Sequence, residues 1–202
     1  MKTYRDLYFI KAKQHHYPAR SVYKLKEIDA KFKIFKPGMK VLDLGAAPGS
    51  WSLAASEGIG LSGWVLACDI QTTKVVFPHN VCFLEADVFA LSDVFEEALA
   101  KLAPFDVVMS DMAPSTTGTR CTDQARSYDL CCAAFKVAER CLKSGGSFVV
   151  KIFMGPDVQD FLTAMRTRFT SVKGCKPKSS RAESKEIFYV GLGFKLRTGS
   201  LI

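Results

Sequence analysis

The sequence lacks an apolar run long enough to cross a membrane. None of its stretches approaches the ~20 apolar residues that a transmembrane helix requires. The basic residues near the start, Lys2 and Arg5, are interrupted by Asp6, and no hydrophobic segment of a secretory signal follows them. We therefore expect a cytoplasmic protein without a membrane anchor.

The cysteines are not spaced as metal ligands or as disulfide partners. There are seven of them, an odd number, and no two follow the C-x-x-C pattern. Most lie in apolar runs, where reduced cysteine behaves as a small buried hydrophobic side chain. The sequence thus predicts no metal site and a reducing environment such as the cytosol.

The glycine-rich segment near residue 45 lacks the signature of a phosphate-binding loop. Residues 41–44 form an apolar run of strand type, Gly45 ends it, and a helix-like segment begins at Ser50. A P-loop would continue from glycine into Lys and then Ser or Thr, but Gly49 is followed by Ser50 and Trp51. Strand, glycine turn and helix in this order are typical of a nucleotide site at the end of the first strand of an α/β domain.

The same loop also lacks the later glycines of the dinucleotide fingerprint, since Ala47 and Ser50 occupy those positions. Asp69 ends the next apolar run, 63–68, roughly 20 residues downstream, where a ribose-binding carboxylate is expected. The pattern predicts a site for a nucleoside without a pyrophosphate, which fits S-adenosylmethionine. A tight turn with no ligand is the alternative for the loop alone.

Strand and helix patterns alternate along most of the chain. This alternation predicts an α/β fold with a mostly parallel sheet and helices on both faces. The predicted strands are 39–44, 63–68, 81–85, 105–110, 146–152, 171–175 and 186–194. The predicted helices are 20–32, 50–59, 91–102, 123–142 and 157–169, whereas residues 1–19 show no clear period.

Four charged residues follow or end these predicted strands: Asp69, Asp87, Asp111 and Lys151. Open α/β sheets bind ligands at the carboxyl ends of their strands, so four such residues favour a site over isolated turn residues. Lys151 lies within the apolar run 149–153 and must lose much of its hydration, which suits a lysine that accepts a proton. A lysine that extends into solvent at a strand end is the alternative.

The positive charge is concentrated near the amino terminus. Residues 1–40 contain eleven Lys and Arg against three acidic residues, which equals the whole chain's net charge of +8. Aromatic residues interleave with these cations, a pattern that favours RNA over a solvated basic tail. A second basic segment, 173–185, has five basic residues and one acidic residue. The predicted RNA-binding residues are Lys11, Lys13, Arg20, Lys178 and Arg181.

Taken together, these segments resemble the FtsJ/RrmJ group of ribose 2′-O-methyltransferases over about residues 4–194. The resemblance is carried by residues 17–25, 43–51, 67–70, 110–114, 150–153 and 180–186. It implies a Rossmann-like methyltransferase fold of seven strands, the last of which is antiparallel. One departure is Ser50, where bacterial members commonly have glycine, and we do not expect it to abolish cofactor binding.

The resemblance also implies the site. It places a catalytic tetrad on Lys24, Asp111, Lys151 and Glu186, with Lys151 as the base that removes the proton of the 2′-hydroxyl group. The predicted cofactor-binding residues are Gly45, Gly49, Trp51, Asp69, Ile70, Asp87, Val88 and Asp111. The methyl group of S-adenosylmethionine is already activated, so no metal is expected.

The expected function is methylation of a uridine of 23S ribosomal RNA in the large ribosomal subunit. Residues 1–38 would form a basic RNA-binding arm and helix, and residues 39–202 the methyltransferase domain, within one structural domain that acts as a monomer. Transfer RNA as the substrate, and a non-catalytic RNA-binding assembly factor with the same fold, stay open as alternatives. A methyltransferase acting on a base or a protein is a further alternative, but it would not need the lysine base.

Overall fold

A single mixed sheet forms the centre of the protein. The computed structural model describes residues 7–90, 92–181 and 183–196, and these residues contain seven strands and six helices. The strands are β1 (Lys40–Leu44), β2 (Trp64–Asp69), β3 (Val81–Glu85), β4 (Phe105–Ser110), β5 (Leu142–Phe153), β6 (Phe169–Cys175) and β7 (Glu186–Phe194).

The strand order is β3-β2-β1-β4-β5-β7-β6, and β7 runs antiparallel to both of its neighbours. The parallel pairs are β1 with β2 and β4, β2 with β3, and β4 with β5. This confirms the predicted seven-stranded sheet with one antiparallel strand. β5 begins earlier than predicted, because Leu142 already pairs with Phe105 ahead of an irregularity in the β4–β5 register.

Helices cover both faces of the sheet, as predicted. They are α1 (Leu7–Gln14), α2 (Val22–Phe32), α3 (Ser50–Ile59), α4 (Asp93–Leu102), α5 (Arg120–Cys141) and α6 (Val158–Arg168). One core packs α1, α2 and α3 against alternate residues of the central strands, such as Val107 and Met109. The other packs α4, α5 and α6 against the intervening residues, such as Val108.

Helix α1 was not predicted, because its eight residues have no apolar period and only Ala12 among them is buried. Tertiary contacts just beyond it hold the segment instead. Tyr17 is buried, and its backbone N–H donates to the Ala12 carbonyl oxygen at 2.9 Å. Its hydroxyl group donates to the Glu57 carboxylate of α3. Residues 1–6 of the predicted arm lie outside the described part of the chain.

The parallel register brings the ends of neighbouring strands together. Leu44 of β1 pairs with Cys68 of β2 on one side and with Ser110 of β4 on the other. Ser110 in turn pairs with Val150 of β5. The residues that follow these positions therefore share one edge of the sheet, where α/β folds bind their ligands. No helix in the described part of the chain is long and apolar enough to cross a membrane.

Candidate active site

Asp111 and Lys151 meet at this edge of the sheet. They directly follow the paired residues Ser110 and Val150, so neighbouring parallel strands place them side by side. Lys151 Nζ lies 3.0 Å from Asp111 Oδ1 and donates a hydrogen bond of 2.5 Å to the Asp111 carbonyl oxygen. The side chain of Lys151 is 7% exposed, so this ammonium group depends on protein oxygens for its polar contacts.

Lys24 and Glu186 form a second, partly buried ion pair beside the first. Lys24 extends from α2 over the ring of Phe188, with 5.7 Å from Nζ to the ring centre, and reaches Glu186 at the start of β7. Ser180 Oγ also donates to Glu186 Oε1 at 3.1 Å. Burial acts to raise the pKa of Glu186, but the hydrogen bond and charge of Lys24 and the charge of Lys151 outweigh it and lower that pKa. Glu186 is therefore an anion that accepts hydrogen bonds.

Two cavities in the described part of the chain adjoin these ion pairs. The first, of about 400 Å³, we call the basic cavity; it is lined by Arg20, Ser21, Lys24, Arg181, Glu183, Ser184 and Glu186. The second, of about 350 Å³, we call the acidic cavity; it includes Asp69, Asp87 and Asp111. Lys24 and Glu186 thus face the basic cavity and Asp111 the acidic one, while Lys151 contacts Asp111 and acts electrostatically on Glu186.

The acidic cavity combines carboxylates with apolar walls. Asp69 Oδ2 accepts from the backbone N–H of Ala47 at 2.9 Å, and its Oδ1 accepts from that of Gln71 at 2.8 Å. Asp87 Oδ1 accepts from the backbone N–H of Phe89 at 2.9 Å. Each carboxylate keeps further lone pairs for a ligand. The apolar lining includes Ile70, Val88, Phe89, Ala113 and Leu130.

Gly45 lines the acidic cavity with a backbone conformation that favours glycine. Its φ is +79°, and a Cβ atom there would lie 2.3 Å from Cγ of Met112. Any side chain at residue 45 would displace Met112, which also lines the cavity. The glycine therefore allows the turn after β1 and the residues after β4 to approach each other closely.

Gly49 and Trp51 lie to the side of the acidic cavity and do not line it. Gly49 is covered by Phe77, whose Cζ would be 2.9 Å from a Cβ atom at residue 49. The indole N–H of Trp51 donates to the Ser21 carbonyl oxygen at 3.0 Å, and its ring packs 5.7 Å from that of Phe188. The Trp51 side chain therefore connects α3 to the start of α2, and a cofactor contact by either residue stays a prediction.

The sequence profile of the FtsJ-like methyltransferase family matches residues 17–194 of the chain. The chain belongs to this family. The match begins at Tyr17, so helix α1 lies outside it.

Relatives with high sequence identity cover almost the whole length of this FtsJ-like methyltransferase. The chain is 69% identical over 195 residues to ribosomal RNA large subunit methyltransferase E of Nitratidesulfovibrio vulgaris, covering 96% of each chain. It is 56% identical to the protein of the same name from Lawsonia intracellularis, covering 99% of this chain and 100% of that one. A crystal structure from Plasmodium falciparum, assigned as a ribosomal RNA methyltransferase, has a TM-score of 0.78 at 25% identity, covering 90% of this chain and 100% of that one.

The predicted RNA-binding residues of this FtsJ-like methyltransferase fall into two groups. Arg20 and Arg181 line the basic cavity, whereas Lys11, Lys13 and Lys178 are exposed. A contact missed at the sequence level joins the two basic segments. The Glu27 carboxylate of α2 accepts from the backbone N–H groups of Lys178 and Ser179 at 2.6 and 2.9 Å. Arg20 also donates to the Ser179 carbonyl oxygen.

Asp43 is a buried carboxylate beneath the site whose role the sequence interpretation missed. It is fully buried in β1; Oδ2 accepts from Ser52 Oγ at 2.6 Å, and Oδ1 has no hydrogen-bond partner among the described residues. Burial raises the pKa of Asp43 to about 7, and the charges of Asp111 and Asp69 act in the same direction. The only signal in the sequence is an acidic residue inside the apolar run 41–44.

The raised pKa of Asp43 predicts a pH-dependent stability in this FtsJ-like methyltransferase. An aspartate in an unfolded chain has a pKa of 3.8, whereas the pKa of folded Asp43 is about 7, so between these values the folded state binds more protons. The free energy of unfolding contributed by Asp43 should therefore fall as pH rises from about 4 to 7. Asp43→Asn should remove this loss and stabilise the protein by roughly 2–4 kcal/mol at pH 8, with little difference from wild type at pH 4.

Urea denaturation at pH values from 4 to 8 measures this difference. Asp129→Asn, at an exposed aspartate of α5, is the matched control and should track wild type throughout. If the free energies of unfolding of Asp43→Asn and wild type differed by the same amount at every pH in this range, the raised pKa of Asp43 would be contradicted.

Proposed function

We propose that the protein is an S-adenosylmethionine-dependent ribose 2′-O-methyltransferase that acts on a uridine of 23S ribosomal RNA. The large ribosomal subunit would be its substrate, and the cytoplasm its place of action. The observation that carries the proposal is the pair of ion pairs, Lys151–Asp111 and Lys24–Glu186, between an acidic and a basic cavity. Two relatives at 69% and 56% identity, named for methylation of large-subunit ribosomal RNA, support the choice of substrate.

The chemistry of the acidic cavity fits S-adenosylmethionine. Asp69 and Asp87 offer anionic acceptors, which suit the ribose hydroxyl groups and a cationic ligand. The apolar side chains of Ile70, Val88 and Phe89 suit an adenine ring. When bound, the cofactor supplies an activated methyl group.

In this proposal, Lys151 would remove the proton of the acceptor hydroxyl group. In its neutral form it would have a lone pair, and its low exposure would limit the water that competes with the acceptor hydroxyl group. Asp111 holds the Nζ atom through both its carboxylate and its carbonyl oxygen, so the lysine is oriented before the acceptor arrives. Orientation and proton removal together are then the protein's contribution to the rate.

The basic cavity would hold the RNA around the acceptor ribose. Lys24 and Glu186 provide a donor and an acceptor at its wall, which suits the hydroxyl groups of a ribose. Arg20 and Arg181 lie at the same cavity, and guanidinium groups bind phosphate through paired hydrogen bonds. Lys11, Lys13 and Lys178 would extend the contact along the RNA backbone.

Cofactor binding should depend on Asp69. Asp69→Ala should weaken S-adenosylmethionine binding by roughly tenfold or more, because each hydrogen bond to a charged acceptor contributes about 1.5–3 kcal/mol. Isothermal titration calorimetry measures the change, with circular dichroism to verify the fold. Asp129→Ala, which removes an exposed carboxylate of α5, should bind as wild type does. Unchanged affinity in Asp69→Ala would remove this residue from the cofactor site.

RNA affinity should depend on the exposed lysines of α1. The double variant Lys11→Gln/Lys13→Gln should bind ribosomal RNA more weakly, and each lost phosphate contact should reduce the log–log salt slope by about 0.7–0.9. The control is Lys101→Gln/Lys136→Gln, which removes the same charge from exposed positions on α4 and α5, across the sheet. Equal slopes for the two double variants would place the RNA surface elsewhere.

Methyl transfer from labelled S-adenosylmethionine tests the function itself. The substrates are large ribosomal subunits, naked 23S ribosomal RNA and transfer RNA, and the product nucleotide is mapped by its resistance to alkaline cleavage. We expect a single 2′-O-methylated uridine in 23S ribosomal RNA. Labelling of transfer RNA alone would show that the enzyme methylates transfer RNA and not 23S ribosomal RNA. Binding of ribosomal subunits without any labelling would favour a non-catalytic assembly factor.

A further inference from the structure

Ser50 links the turn beside the acidic cavity to the chain that lines the basic cavity. It is the first residue of α3, directly after Gly49, and its side chain is almost completely buried. Its Oγ atom accepts from the backbone N–H of Ala19 at 2.7 Å and donates to the Ala19 carbonyl oxygen at 3.2 Å. One hydroxyl group thus holds both backbone polar groups of a residue distant in sequence.

The next residue makes a second link to the same short segment. Trp51 Nε1 donates to the Ser21 carbonyl oxygen at 3.0 Å, and that oxygen also accepts from the backbone N–H of Lys24, likewise at 3.0 Å. Residues 19–21 are not part of a helix or a strand, so contacts such as these define their position. Arg20 and Ser21 line the basic cavity.

We propose that Ser50 is a positioning residue for the RNA acceptor. Its hydroxyl group fixes residues 19–21 relative to the turn after β1, and so sets the distance of Arg20 and Lys24 from the acidic cavity. The proposal rests on the proposed function, since it assumes that RNA occupies the basic cavity. Ser50 does not line the acidic cavity, and its hydroxyl group bonds away from it, to Ala19. Cofactor binding should therefore not depend on this hydroxyl group.

The kinetics of Ser50→Ala distinguish a role in positioning the RNA acceptor from a role in binding the cofactor. The variant leaves the Ala19 N–H without its acceptor, so residues 19–21 should shift, and we expect KM for RNA to rise and the single-turnover rate at saturating RNA to fall, each by about tenfold. The Kd for S-adenosylmethionine, measured without RNA, should match that of wild type. Trp51→Phe removes only the indole N–H and keeps a ring against Phe188, and it should change the same two RNA parameters.

Ser56→Ala is the matched control. Ser56 is a buried serine of the same helix whose Oγ donates to Asn80 Oδ1 at 2.8 Å, away from both cavities. Its RNA kinetics should equal those of wild type, even if its stability to urea falls as much as that of Ser50→Ala.

Two results would overturn the proposal while leaving the proposed function intact. One is unchanged RNA kinetics in Ser50→Ala with normal methyl transfer by the wild-type protein. The other is a loss of cofactor affinity that parallels the kinetic loss, which would show that the hydroxyl group supports the cofactor site instead. A wild-type protein that transfers no methyl group to RNA would overturn both proposals together.

Discussion

Replacing Lys151 with arginine should lower the single-turnover rate of methylation by about 10²–10⁴-fold, which is the usual contribution of a general base. Arginine keeps the positive charge and much of the bulk next to Asp111, but it stays protonated at any usable pH. Lys151→Ala should lose a similar factor, although it also removes the charge. Binding of S-adenosylmethionine and RNA should change little in Lys151→Arg, because the affected step is proton removal.

The pH profile identifies the proton transfer. The wild-type rate should rise with pH, since only a neutral amine can accept the hydroxyl proton, and Lys151→Arg should lose this dependence. The measurement is single-turnover methylation at saturating RNA and cofactor from pH 6 to 10. Lys173→Arg, at an exposed lysine of β6, is the matched control and should keep the wild-type profile. If Lys151→Arg kept a near wild-type rate and pH profile, Lys151 would contribute a positive charge to the site and would not be the base that accepts the proton.

The second large effect should come from breaking the Lys24–Glu186 ion pair. The side chains are only 13% and 11% exposed, so either single variant, Lys24→Met or Glu186→Gln, leaves a charge in a poorly solvated position. Removing one partner of a buried pair costs about 3–5 kcal/mol of folding stability. In Lys24→Met, Ser180 and Lys151 still partly compensate the charge of Glu186, so we expect the lower end of that range for this variant.

The double variant Lys24→Met/Glu186→Gln separates stability from activity. It removes both charges, so much of the stability lost in the single variants should return. Methyl transfer should stay low in all three, because the acceptor ribose would have lost its donor and its anionic acceptor at the wall of the basic cavity. Urea denaturation and single-turnover kinetics measure the two quantities on the same proteins. Recovery of activity together with stability would make the pair a structural element only.

Acid should weaken the Lys24–Glu186 contact in the wild-type protein. The pKa of Glu186 is lowered in the folded state, so the stability it contributes is fully present above its unfolded pKa. That contribution is lost as the pH falls through the folded-state pKa. The pH dependence from Glu186 is opposite to that from Asp43, whose contribution to stability falls as pH rises. Glu186→Gln should remove only the first of these dependences, and Asp43→Asn only the second.

Local sequence patterns determined most of the fold. Buried parallel strands are continuous apolar runs and surface helices have an apolar stripe, so both kinds of element could be predicted from short windows. The same logic predicted that Asp69, Asp111 and Lys151 would lie near one another, because they follow or end strands of one parallel sheet. Helix α1 was not predicted, because it has no periodic apolar pattern of its own and is stabilised by the contact of Tyr17 with α3.

The tertiary structure decided what depends on contacts between distant segments. β7 lies between β5 and β6 and runs against both, which brings Glu186 towards Lys151 and within reach of Lys24. The family resemblance predicted the tetrad, but no spacing in the sequence specifies this strand order. The links from Ser50 to Ala19 and from Trp51 to Ser21, and the buried state of Asp43, likewise arise only when the helices pack on the sheet. A side chain's partner and solvation are properties of the packed chain, whereas its tendency to form a strand or helix is mainly a property of its neighbours in sequence.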